Sequence, residues 1–346
     1  MSNQAAWIPS KGARFEVKES PLTKPAPGEI LIKNHVIALN PADHKMQDHG
    51  RMVPTFPFIL GFEIAGEVVD VGEGVTRFKK GDRVVGLAIA PRTQNLAHAG
   101  YQLFTIVSEV AAAHIPEGIP YANAVVLPIG LATAAAGLYE PNYLAQPAPG
   151  KSTSNASSGK KSILIWGGSS VVGISAIQLA AASGWTIVST ASPKNHELVR
   201  SLGATHVFDY SDPDVVANIL KAVEGTTLIG VFDAISDPDT SVKSAEVVHA
   251  SGGGKLIATT SGGYERSTVL LGDVARTLVY APTPTPGQEL PVWMGVWLEF
   301  FEEGLKDGRL KAKPEPTIIE GGLEKIQEAL DLLKKGVSAT KVVVQL

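Results

Sequence analysis

The first third of the chain alternates between apolar and polar positions in short runs, which Gly, Pro and Asp residues separate. The longest run, Glu29–Leu39, lies between Pro27-Gly28 and Asn40-Pro41, and such residues are common at strand ends. Many short strands at this spacing are typical of a small barrel or sandwich. The other strands predicted in this part are Ile64–Val71, Arg83–Leu87 and Tyr101–Val107.

In the middle of the chain, apolar runs of strand length alternate with stretches of helical periodicity. Alternation in units of roughly 20–30 residues predicts an α/β fold with a parallel, doubly wound sheet. Continuously apolar runs fit strands that are covered on both faces of the sheet. The predicted strands are Ser162–Trp166, Trp185–Ala191, His206–Phe208, Ile229–Asp233 and Lys255–Ala258, and the predicted helices are Val172–Ser183, Asn195–Ser201, Asp214–Val223 and Ser241–Ala250.

The last part of the chain returns to mixed structure and closes with a predicted strand at Lys341–Val344. A helix that stops at Gly336 is predicted from the apolar face formed by Leu323, Ile326, Leu330 and Leu333.

Three segments lie outside the regular pattern. Gln146–Lys161 is rich in Ser and Gly and lacks apolar anchors, which predicts an exposed, mobile loop. Ala90–Ala99 and Ser261–Gly287 are predicted to be loops that carry substrate specificity.

Composition and charge narrow the class of protein. The 346 residues suffice for two domains of roughly 100–200 residues each, and a hydrophobic content of 44% argues against disorder. The net charge of −4, with no long basic run, argues against a nucleic-acid partner, which would need a positive field. The absence of cysteine excludes disulfides, thiolate zinc ligands and a cysteine nucleophile, and it suits a reducing cytoplasm.

No membrane partner is expected. The N-terminal residues lack the apolar core of a signal peptide. The longest apolar stretch, Val125–Tyr139, is shorter than the roughly 20 residues that span a bilayer, and Pro128, Gly130 and Gly137 interrupt it. The sequence therefore predicts a soluble, cytoplasmic protein.

The most informative motif, Trp-Gly-Gly-Ser-Ser-Val-Val-Gly at 166–173, lies between a predicted strand and a predicted helix. A dinucleotide site needs glycines there to turn the chain, to let backbone approach the pyrophosphate and to pack the helix on the strand. The helix N-terminus also offers amides to the phosphates. Gly168 and Gly173 match the outer glycines of G-x-G-x-x-G, and Ser170 replaces the middle one. The predicted cofactor-binding residues of this turn are Gly168, Ser169, Ser170, Val171, Val172 and Gly173.

An ordinary strand-to-helix turn of another α/β protein is the alternative interpretation of this motif. The turn does not match two other motifs of α/β proteins, the P-loop and the nucleophile elbow. The turn is not followed by the Gly-Lys-Ser/Thr of a P-loop. It also lacks the G-x-S-x-G of a nucleophile elbow.

The residues after the second strand of this region favour NADPH over NADH. An NAD site places an acid about 20 residues after the glycines to bind the ribose hydroxyl. Here no acid occurs between Gly168 and Glu197. Ser192, Lys194 and Asn195 instead offer hydrogen-bond donors and one positive charge to a 2′-phosphate. A polar turn with a solvated lysine is the alternative.

The N-terminal third contains a longer pattern that extends this interpretation. It comprises Ala38-Leu39-Asn40-Pro41-Ala42-Asp43, Pro57-x-x-x-Gly61-Phe62-Glu63-x-x-Gly66-x-Val68 and Phe78-Lys79-x-Gly81-Asp82-Arg83-Val84. With these motifs the chain strongly resembles the medium-chain dehydrogenase/reductase superfamily over essentially its whole length. The resemblance implies a GroES-like β-rich catalytic domain over 1–124 and 291–346 and a Rossmann NADPH-binding domain over 125–290. The active site is then expected in the cleft between them.

The chain departs from the alcohol dehydrogenase branch of that superfamily. That branch has a zinc-ligating cysteine in the turn where Leu39-Asn40-Pro41 stands, a histidine at the position of Phe62, and a four-cysteine structural lobe. Because these ligands are missing, zinc-polarised alcohol oxidation is not expected. The turn is similar instead to zinc-independent quinone and enoyl reductases. The glycine motif and the Ser-rich insert before it resemble fungal reductases, including trans-acting enoyl reductases that serve polyketide synthases.

One cluster of side chains raises the alternative of a metal site. Asp43, His44, Asp48 and His49 place four nitrogen or oxygen ligands within seven residues. The two histidines are five residues apart, which aligns them poorly on a helix. We interpret the cluster as a polar loop at the rim of the cleft and predict no bound metal.

Further site residues are implied by the resemblance alone. Thr133 corresponds to a position beside the nicotinamide, Tyr210 to a tyrosine beside the adenosine, and Ala258 to backbone at the nicotinamide ribose. Asn40 and Lys45 are expected to face the substrate. A buried core threonine and a surface-turn tyrosine are the alternatives for Thr133 and Tyr210.

The resulting hypothesis is an NADPH-dependent reductase of an α,β-unsaturated carbonyl or thioester. Hydride adds to the β-carbon, and backbone amides or hydroxyls stabilise the enolate oxygen. A quinone oxidoreductase and a non-catalytic nucleotide-binding partner protein are the alternatives. The substrate is expected to be a small molecule or a carrier-bound enoyl group, with a polyketide synthase as partner, and analogy with the superfamily implies a homodimer.

Overall fold

A computed structural model describes residues 2–149, 160–254, 256–260, 267–281 and 290–346. The strands are β1 (Asn3–Ile8), β2 (Glu16–Ser20), β3 (Glu29–Ala38), β4 (Phe58–Ile59), β5 (Glu63–Val71), β6 (Arg83–Leu87), β7 (Phe104–Ser108), β8 (Ala112–His114), β9 (Lys161–Trp166), β10 (Thr186–Thr190), β11 (His206–Phe208), β12 (Thr227–Asp233), β13 (Leu256–Thr259), β14 (Ser267–Leu271), β15 (Val274–Leu278), β16 (Pro316–Glu320) and β17 (Lys341–Gln345). The helices are α1 (Pro41–His49), α2 (Ala90–Thr93), α3 (Tyr121–Ala124), α4 (Pro128–Tyr139), α5 (Val171–Ala182), α6 (His196–Ser201), α7 (Val215–Val223), α8 (Pro238–Ser251), α9 (Pro291–Trp293), α10 (Glu302–Asp307) and α11 (Ile326–Lys334).

Two sheets form the β-rich part of the fold. The larger has the order β16-β17-β3-β5-β6-β8, with β7 also paired to β3, and the smaller has the order β2-β1-β4. Because β3 pairs with β17, the C-terminal strand completes a sheet that begins near the N-terminus. The predicted β-rich first third is confirmed, although β1, β2 and α1 were not predicted. The strand predicted from Tyr101 begins at Phe104, because the Tyr101 carbonyl bonds to Ala6 N of β1 at 2.8 Å.

The third sheet has the order β11-β10-β9-β12-β13-β15-β14. Its first six strands in that order are parallel, and β14 runs antiparallel along β15 at the edge. The predicted doubly wound parallel sheet is therefore confirmed, with one antiparallel edge strand added. The strand order reverses direction between β9 and β12, where sheets of this kind bind ligands beyond the carboxyl ends of the strands.

Two segments predicted as loops contain regular structure. Ala90–Ala99 holds α2 and the 3₁₀ turn Leu96–His98. The described part of Ser261–Gly287 holds β14 and β15. Because β15 pairs on both sides, sheet pairing overrides a local sequence rich in Gly, Pro and Thr. Much of the rest of that segment, and residues 150–159 of the predicted loop Gln146–Lys161, lie outside the described residues.

Helix α4 is apolar and packs closely against α5 and β12. A Cβ at Gly130 would lie 2.8 Å from Val171 Cγ1, and a Cβ at Gly137 would lie 2.4 Å from Phe232 Cε2. These glycines therefore let α4 approach its neighbours. The Tyr139 hydroxyl donates to Leu179 O at 3.0 Å and fixes the far end of α4 against α5.

The prediction that this apolar region is too short to span a bilayer is wrong. Among the described helices, the stretch Tyr121–Tyr139 has 19 residues and a mean hydropathy of 1.5, which suffices by length and composition. It reaches this length because α3 precedes α4 with only a short break. Since 78% of its apolar window is buried inside the fold, the stretch packs as a core helix.

The segment from α9 to α10, joined by the π-helical stretch Met294–Phe301, packs against the β-rich part. Trp293 Nε1 donates to Val110 O at 2.6 Å, and Trp297 Nε1 donates to Ala112 O at 3.1 Å. The two indole rings stack with centroids 4.7 Å apart. This tryptophan pair holds the C-terminal segment beside β8.

Candidate active site

The turn between β9 and α5 is one that glycine alone fits. Gly167 has a φ of 76°, and a Cβ there would lie 2.4 Å from Ile235 Cγ1. A Cβ at Gly168 would lie 2.1 Å from Ser189 Oγ, and one at Gly173 would lie 2.3 Å from Gly167 O. Gly168 and Gly173 therefore serve the close backbone approach that the motif predicts. Gly167 supplies the left-handed conformation and was missed among the predicted site residues.

The N-terminus of α5 faces outward from this turn with hydrogen-bond donors available. Ser170 caps the helix, because its Oγ accepts from Gly173 N at 3.0 Å. Within the part of the chain that the structure describes, the backbone amides of Val171 and Val172 donate to no protein acceptor. Two such amides at the positive end of a 12-residue helix can bind a pyrophosphate.

The end of β10 lies beside the glycine turn. Gly167 N donates to Thr190 Oγ1 at 3.0 Å, and Gly168 N donates to Thr190 O at 2.8 Å. The 3₁₀ turn Pro193–Asn195 follows, and Asn195 Nδ2 lies 3.1 Å from Ser192 Oγ and 3.3 Å from Ser169 Oγ. The structure thus brings together predicted residues from the glycine turn and from the end of β10.

Lys194 and Tyr210 lie exposed around this turn. Among the described carboxylates, none forms an ion pair with Lys194, so its charge remains available to an anionic ligand. Tyr210 is 48% exposed. It follows β11, and β11 is joined to the residue after β10 because Ala191 N donates to Phe208 O at 3.0 Å. Asp209 beside it is ionised, because the backbone amide and the hydroxyl of Ser211 donate to its carboxylate and lower its pKa.

Ala258 does not end its strand as expected. β13 continues to Thr259, and Ala258 is fully buried between Phe232 of β12 and Thr277 of β15. Thr260 N, just beyond the strand, donates to Ser236 Oγ at 2.9 Å. Thr260 is therefore the first residue beyond the paired part of β13.

A buried cluster of charged and polar groups joins the β-rich part to α4. Glu63 Oε1 accepts from Ile129 N at 2.8 Å, and Glu63 Oε2 accepts from Asn40 Nδ2 at 2.8 Å and from Lys341 Nζ at 2.6 Å. Lys341 Nζ also donates to Asn40 Oδ1 at 2.6 Å. Asn40 is only 4% exposed, and both polar atoms of its side chain bind within this cluster.

The segment predicted as a polar loop is helix α1. Asn40 is its N-cap, Pro41 is its first residue, and Asp43 Oδ2 accepts from Asn40 N at 2.7 Å. This capping box starts the helix despite its weak apolar pattern. Asp43 is fully buried, and burial raises its pKa to about 7. Lys45, expected at the substrate, is half-buried on the same helix.

The side chains of α1 that raised the alternative of a metal site are divided among other contacts. Asp48 accepts from Lys334 Nζ at 2.7 Å, and His44 Nδ1 lies 3.8 Å from the Asp48 carboxylate. Partial burial lowers the pKa of His44, which favours the neutral ring. Within the described ranges, no group of three or more His, Asp or Glu side chains is arranged to hold a metal ion.

Thr133 lies on the side of α4 that remains accessible. Every residue of α4 except Ile129 and Thr133 is buried. These two residues are four positions apart, so they share one face of the helix. The amide of Ile129 is the group that Glu63 binds, so this face borders the buried cluster. Thr133 is therefore partly buried.

Known proteins match this arrangement over the whole chain. The alcohol dehydrogenase GroES-like domain family matches residues 26–128, and the zinc-binding dehydrogenase family matches residues 171–276. Trans-enoyl reductase himH of Aspergillus japonicus is 43% identical over 348 residues, covering 99% of this chain and 97% of that protein. The solved CurK enoyl reductase has a TM-score of 0.73 at 21% identity, covering 99% of both chains. The Coxiella burnetii quinone oxidoreductase has a TM-score of 0.72 at 22% identity, covering 100% of both chains.

A dinucleotide turn at the switch point of a parallel sheet, attached to a GroES-like part, defines an oxidoreductase that uses a nicotinamide cofactor. The chain belongs to the medium-chain dehydrogenase/reductase superfamily. Within it the chain is similar to fungal trans-enoyl reductases, and enoyl and quinone reductases share its fold.

The residues present do not fit the zinc ion that the second family description implies. Zinc binds cysteine, histidine and carboxylate ligands. Here the corresponding positions are Asn40 and Phe62, followed by Glu63, and both Glu63 oxygens already accept hydrogen bonds. The Lys341 ammonium, 2.6 Å from a Glu63 oxygen, would repel a divalent cation at this point.

Three features of the site were not found from sequence. Gly167 lies within the quoted motif but was not predicted as a site residue, and its left-handed φ is the reason that a double glycine occurs there. Lys341 and Ser338 lie close together in the chain but far from the residues that they contact. The Lys341 contact had no local signal, because it depends on β17 joining β3.

Proposed function

We propose that the protein is an NADPH-dependent reductase of an activated carbon–carbon double bond in an α,β-unsaturated carbonyl or thioester. One observation carries the cofactor preference. Ser192, Lys194 and Asn195 stand at the end of β10, where an NAD site has a carboxylate. The similarity to trans-enoyl reductase himH over nearly the full length supports the substrate class.

The residues of the Rossmann side fit a dinucleotide. The crowded positions of Gly168 and Gly173 and the open amides of Val171 and Val172 would hold the pyrophosphate. Ser192, Lys194 and Asn195 would hold the 2′-phosphate, with Tyr210 beside the adenosine. When bound, the nicotinamide supplies a hydride equivalent to the β-carbon of the substrate.

On the cleft side, the chain supplies donors and alignment. Thr133 presents its hydroxyl on the accessible face of α4, and Lys45 adds a positive charge from α1. Donors placed where the enolate oxygen develops charge stabilise the transition state, and fixed alignment lowers the barrier further. The α-carbon then takes up a proton. The Glu63 cluster positions α4 for this reaction through the hydrogen bond from Ile129 N.

The natural substrate is proposed to be a small enoyl compound or a carrier-bound enoyl group. A carrier-bound substrate would require contact with a polyketide synthase in the cytoplasm. A homodimer is also proposed, by analogy with the superfamily. Quinone reduction is the second candidate function, because the Coxiella burnetii quinone oxidoreductase shares the fold over the whole chain. A non-catalytic nucleotide-binding role is the third.

Lys194→Ala tests the cofactor preference. We expect the variant to lose about tenfold in affinity for NADPH, the scale of one charge-assisted contact, while its affinity for NADH stays unchanged. Binding is measured by quenching of protein fluorescence. Lys221→Ala, which removes an exposed lysine from α7, is the matched control. An unchanged ratio of the two affinities in Lys194→Ala would overturn the proposed preference.

A further inference from the structure

The imidazole of His114 lies between two carboxylates that come from different parts of the chain. Its Nδ1 lies 3.1 Å from Glu302 Oε1, at the start of α10, and its Nε2 lies 3.4 Å from Asp82 Oδ2, just before β6. Only 14% of the Glu302 side chain and 12% of the Asp82 side chain are exposed. Water therefore screens these two contacts less than it screens a fully exposed ion pair.

Both carboxylates have a lowered pKa, so they are ionised and act only as acceptors. Burial alone would raise the pKa of Glu302, but hydrogen bonds from His114 and the charge of Arg77 lower it. Burial would also raise the pKa of Asp82, which the hydrogen bonds from the side chain and backbone of Lys79 lower instead. A neutral imidazole carries one hydrogen and can donate to only one carboxylate. The position between two carboxylates therefore fits the imidazolium ion, which donates from both nitrogens.

Glu302 joins a helical segment to the edge of the β-rich part. Its Oε1 also accepts from His114 N at 3.0 Å and from Arg77 Nη2 at 2.8 Å. Residues 291–307, from α9 to α10, are thereby held beside β8 toward their C-terminal end, while the tryptophan pair holds them toward their N-terminal end. Because α9 also packs against α4, a shift of this segment would reach the helix that carries Thr133.

We propose that His114 is a pH-sensitive latch, whose imidazolium ion joins Asp82 to Glu302 and holds residues 291–307 against β8. Histidine ordinarily changes charge between about pH 5 and 8, so the latch is closed on the acid side of this range. When the ring loses a proton, one nitrogen presents a lone pair to a carboxylate, and that contact becomes repulsive. The bonds to Glu302 from Arg77 and from the His114 backbone amide then remain, together with those of the tryptophan pair.

The other charged groups around the ring keep their charge while the latch opens. Acidic side chains ordinarily titrate near pH 4, and lysine and arginine side chains titrate above about pH 10. The charged groups that face the latch, directly or through one partner, are Arg77, Lys79 and Asp82 before β6, Glu109 after β7, and Glu302 and Lys306 on α10. His114 is therefore the member of this group that responds between about pH 5 and 8.

Amide hydrogen exchange of the full chain from about pH 5 to about pH 8, followed by mass spectrometry, tests the latch. After correction for intrinsic exchange rates, the protection of residues 291–307 should fall about tenfold as the pH rises, the scale of one lost charge-assisted hydrogen bond. In His114→Gln the protection should be low at every pH and change little. Any pH dependence due to Asp43 is common to both proteins, so their difference isolates the latch. His206→Gln, on β11, is the control and should match the wild-type protein.

Asp82→Asn tests the same latch without changing the ring, and it decides the question if His114→Gln does not fold. It keeps an acceptor for the amide of Lys79 but removes the charge that favours the imidazolium ion, so the pH dependence should be much weaker than in the wild-type protein. A pH dependence equal to that of the wild-type protein in either variant would overturn the latch. Protection of residues 291–307 that does not change with pH in the wild-type protein would overturn it as well.

Discussion

Asp43 helps to start α1, but burial of its carboxylate has a free-energy cost that depends on pH. Its Oδ2 caps α1 by accepting from Asn40 N at 2.7 Å. The buried Tyr101 hydroxyl lies beside the Asp43 carboxylate. Burial raises the pKa of Asp43 to about 7 and raises the pKa of Tyr101 well above its ordinary value. Asp43 is therefore a buried acid that changes charge near neutral pH.

The raised pKa of Asp43 predicts a pH dependence of stability. Between the ordinary pKa of 3.8 and about 7, the folded protein holds a proton that the unfolded chain releases. The free energy of unfolding should therefore fall as the pH rises from about 4 to about 7. Asp43→Asn keeps an acceptor for Asn40 N but does not titrate. Its melting temperature should fall less over this range than that of the wild-type protein.

Thermal unfolding at several pH values measures this difference. A change of about 1 kcal/mol moves the melting temperature by roughly 2–4 °C in a protein domain of 150–250 residues. Asp214→Asn removes an exposed acid at the start of α7 and should retain the wild-type slope. Equal slopes for Asp43→Asn and the wild-type protein would show that Asp43 does not titrate with a raised pKa.

At the level of elements, the Glu63 cluster determines how the β-rich part meets α4. Glu63 on β5 accepts hydrogen bonds from the turn before α1, from β17 and from the first turn of α4. Both charges of the Lys341–Glu63 pair are buried, and their polar atoms make several hydrogen bonds. Such a buried ion pair contributes more to holding β5, β17 and α4 in one arrangement than to stability, because desolvation of the two charges offsets much of their attraction.

We expect strong coupling between Glu63 and Lys341. Glu63→Gln and Lys341→Met should each destabilise the protein by roughly 3–5 kcal/mol, because each leaves one buried charge without its partner. The double variant should be less destabilised than the sum of the two single variants by about 1–3 kcal/mol. Urea unfolding of the four proteins measures the coupling. Additive effects would mean that the two charges do not depend on each other.

The elements also show where sequence patterns suffice and where they do not. The strands and helices around the glycine turn were predicted to within a few residues, because continuous apolar runs and helical periodicity are strong local signals. Helix α1 was missed, since its start depends on the capping box of Asn40 and Asp43 and its apolar periodicity is weak. Strand β15 was missed because its pairing with β13 and β14 is tertiary.

For the whole molecule, the candidate site combines residues that sequence could identify with residues that it could not. Gly168, Gly173 and Lys194 belong to local motifs and could be predicted. Ser338 and Lys341 reach the site only because the C-terminal strand returns to the N-terminal sheet. The resemblance to a family gave the general architecture, but the individual contacts across the cleft depend on packing that no local pattern records.

Reduction of an activated double bond with NADPH is the function that we propose for this protein. The most direct measurement is NADPH oxidation by the purified protein, with an α,β-unsaturated acyl-pantetheine thioester and a simple quinone supplied separately. We expect turnover of the thioester, with the saturated thioester as product, and slow or no turnover of the quinone. Turnover of the quinone alone would contradict the proposed reaction and establish the second candidate. NADPH binding without oxidation by either acceptor would contradict enoyl-thioester reduction.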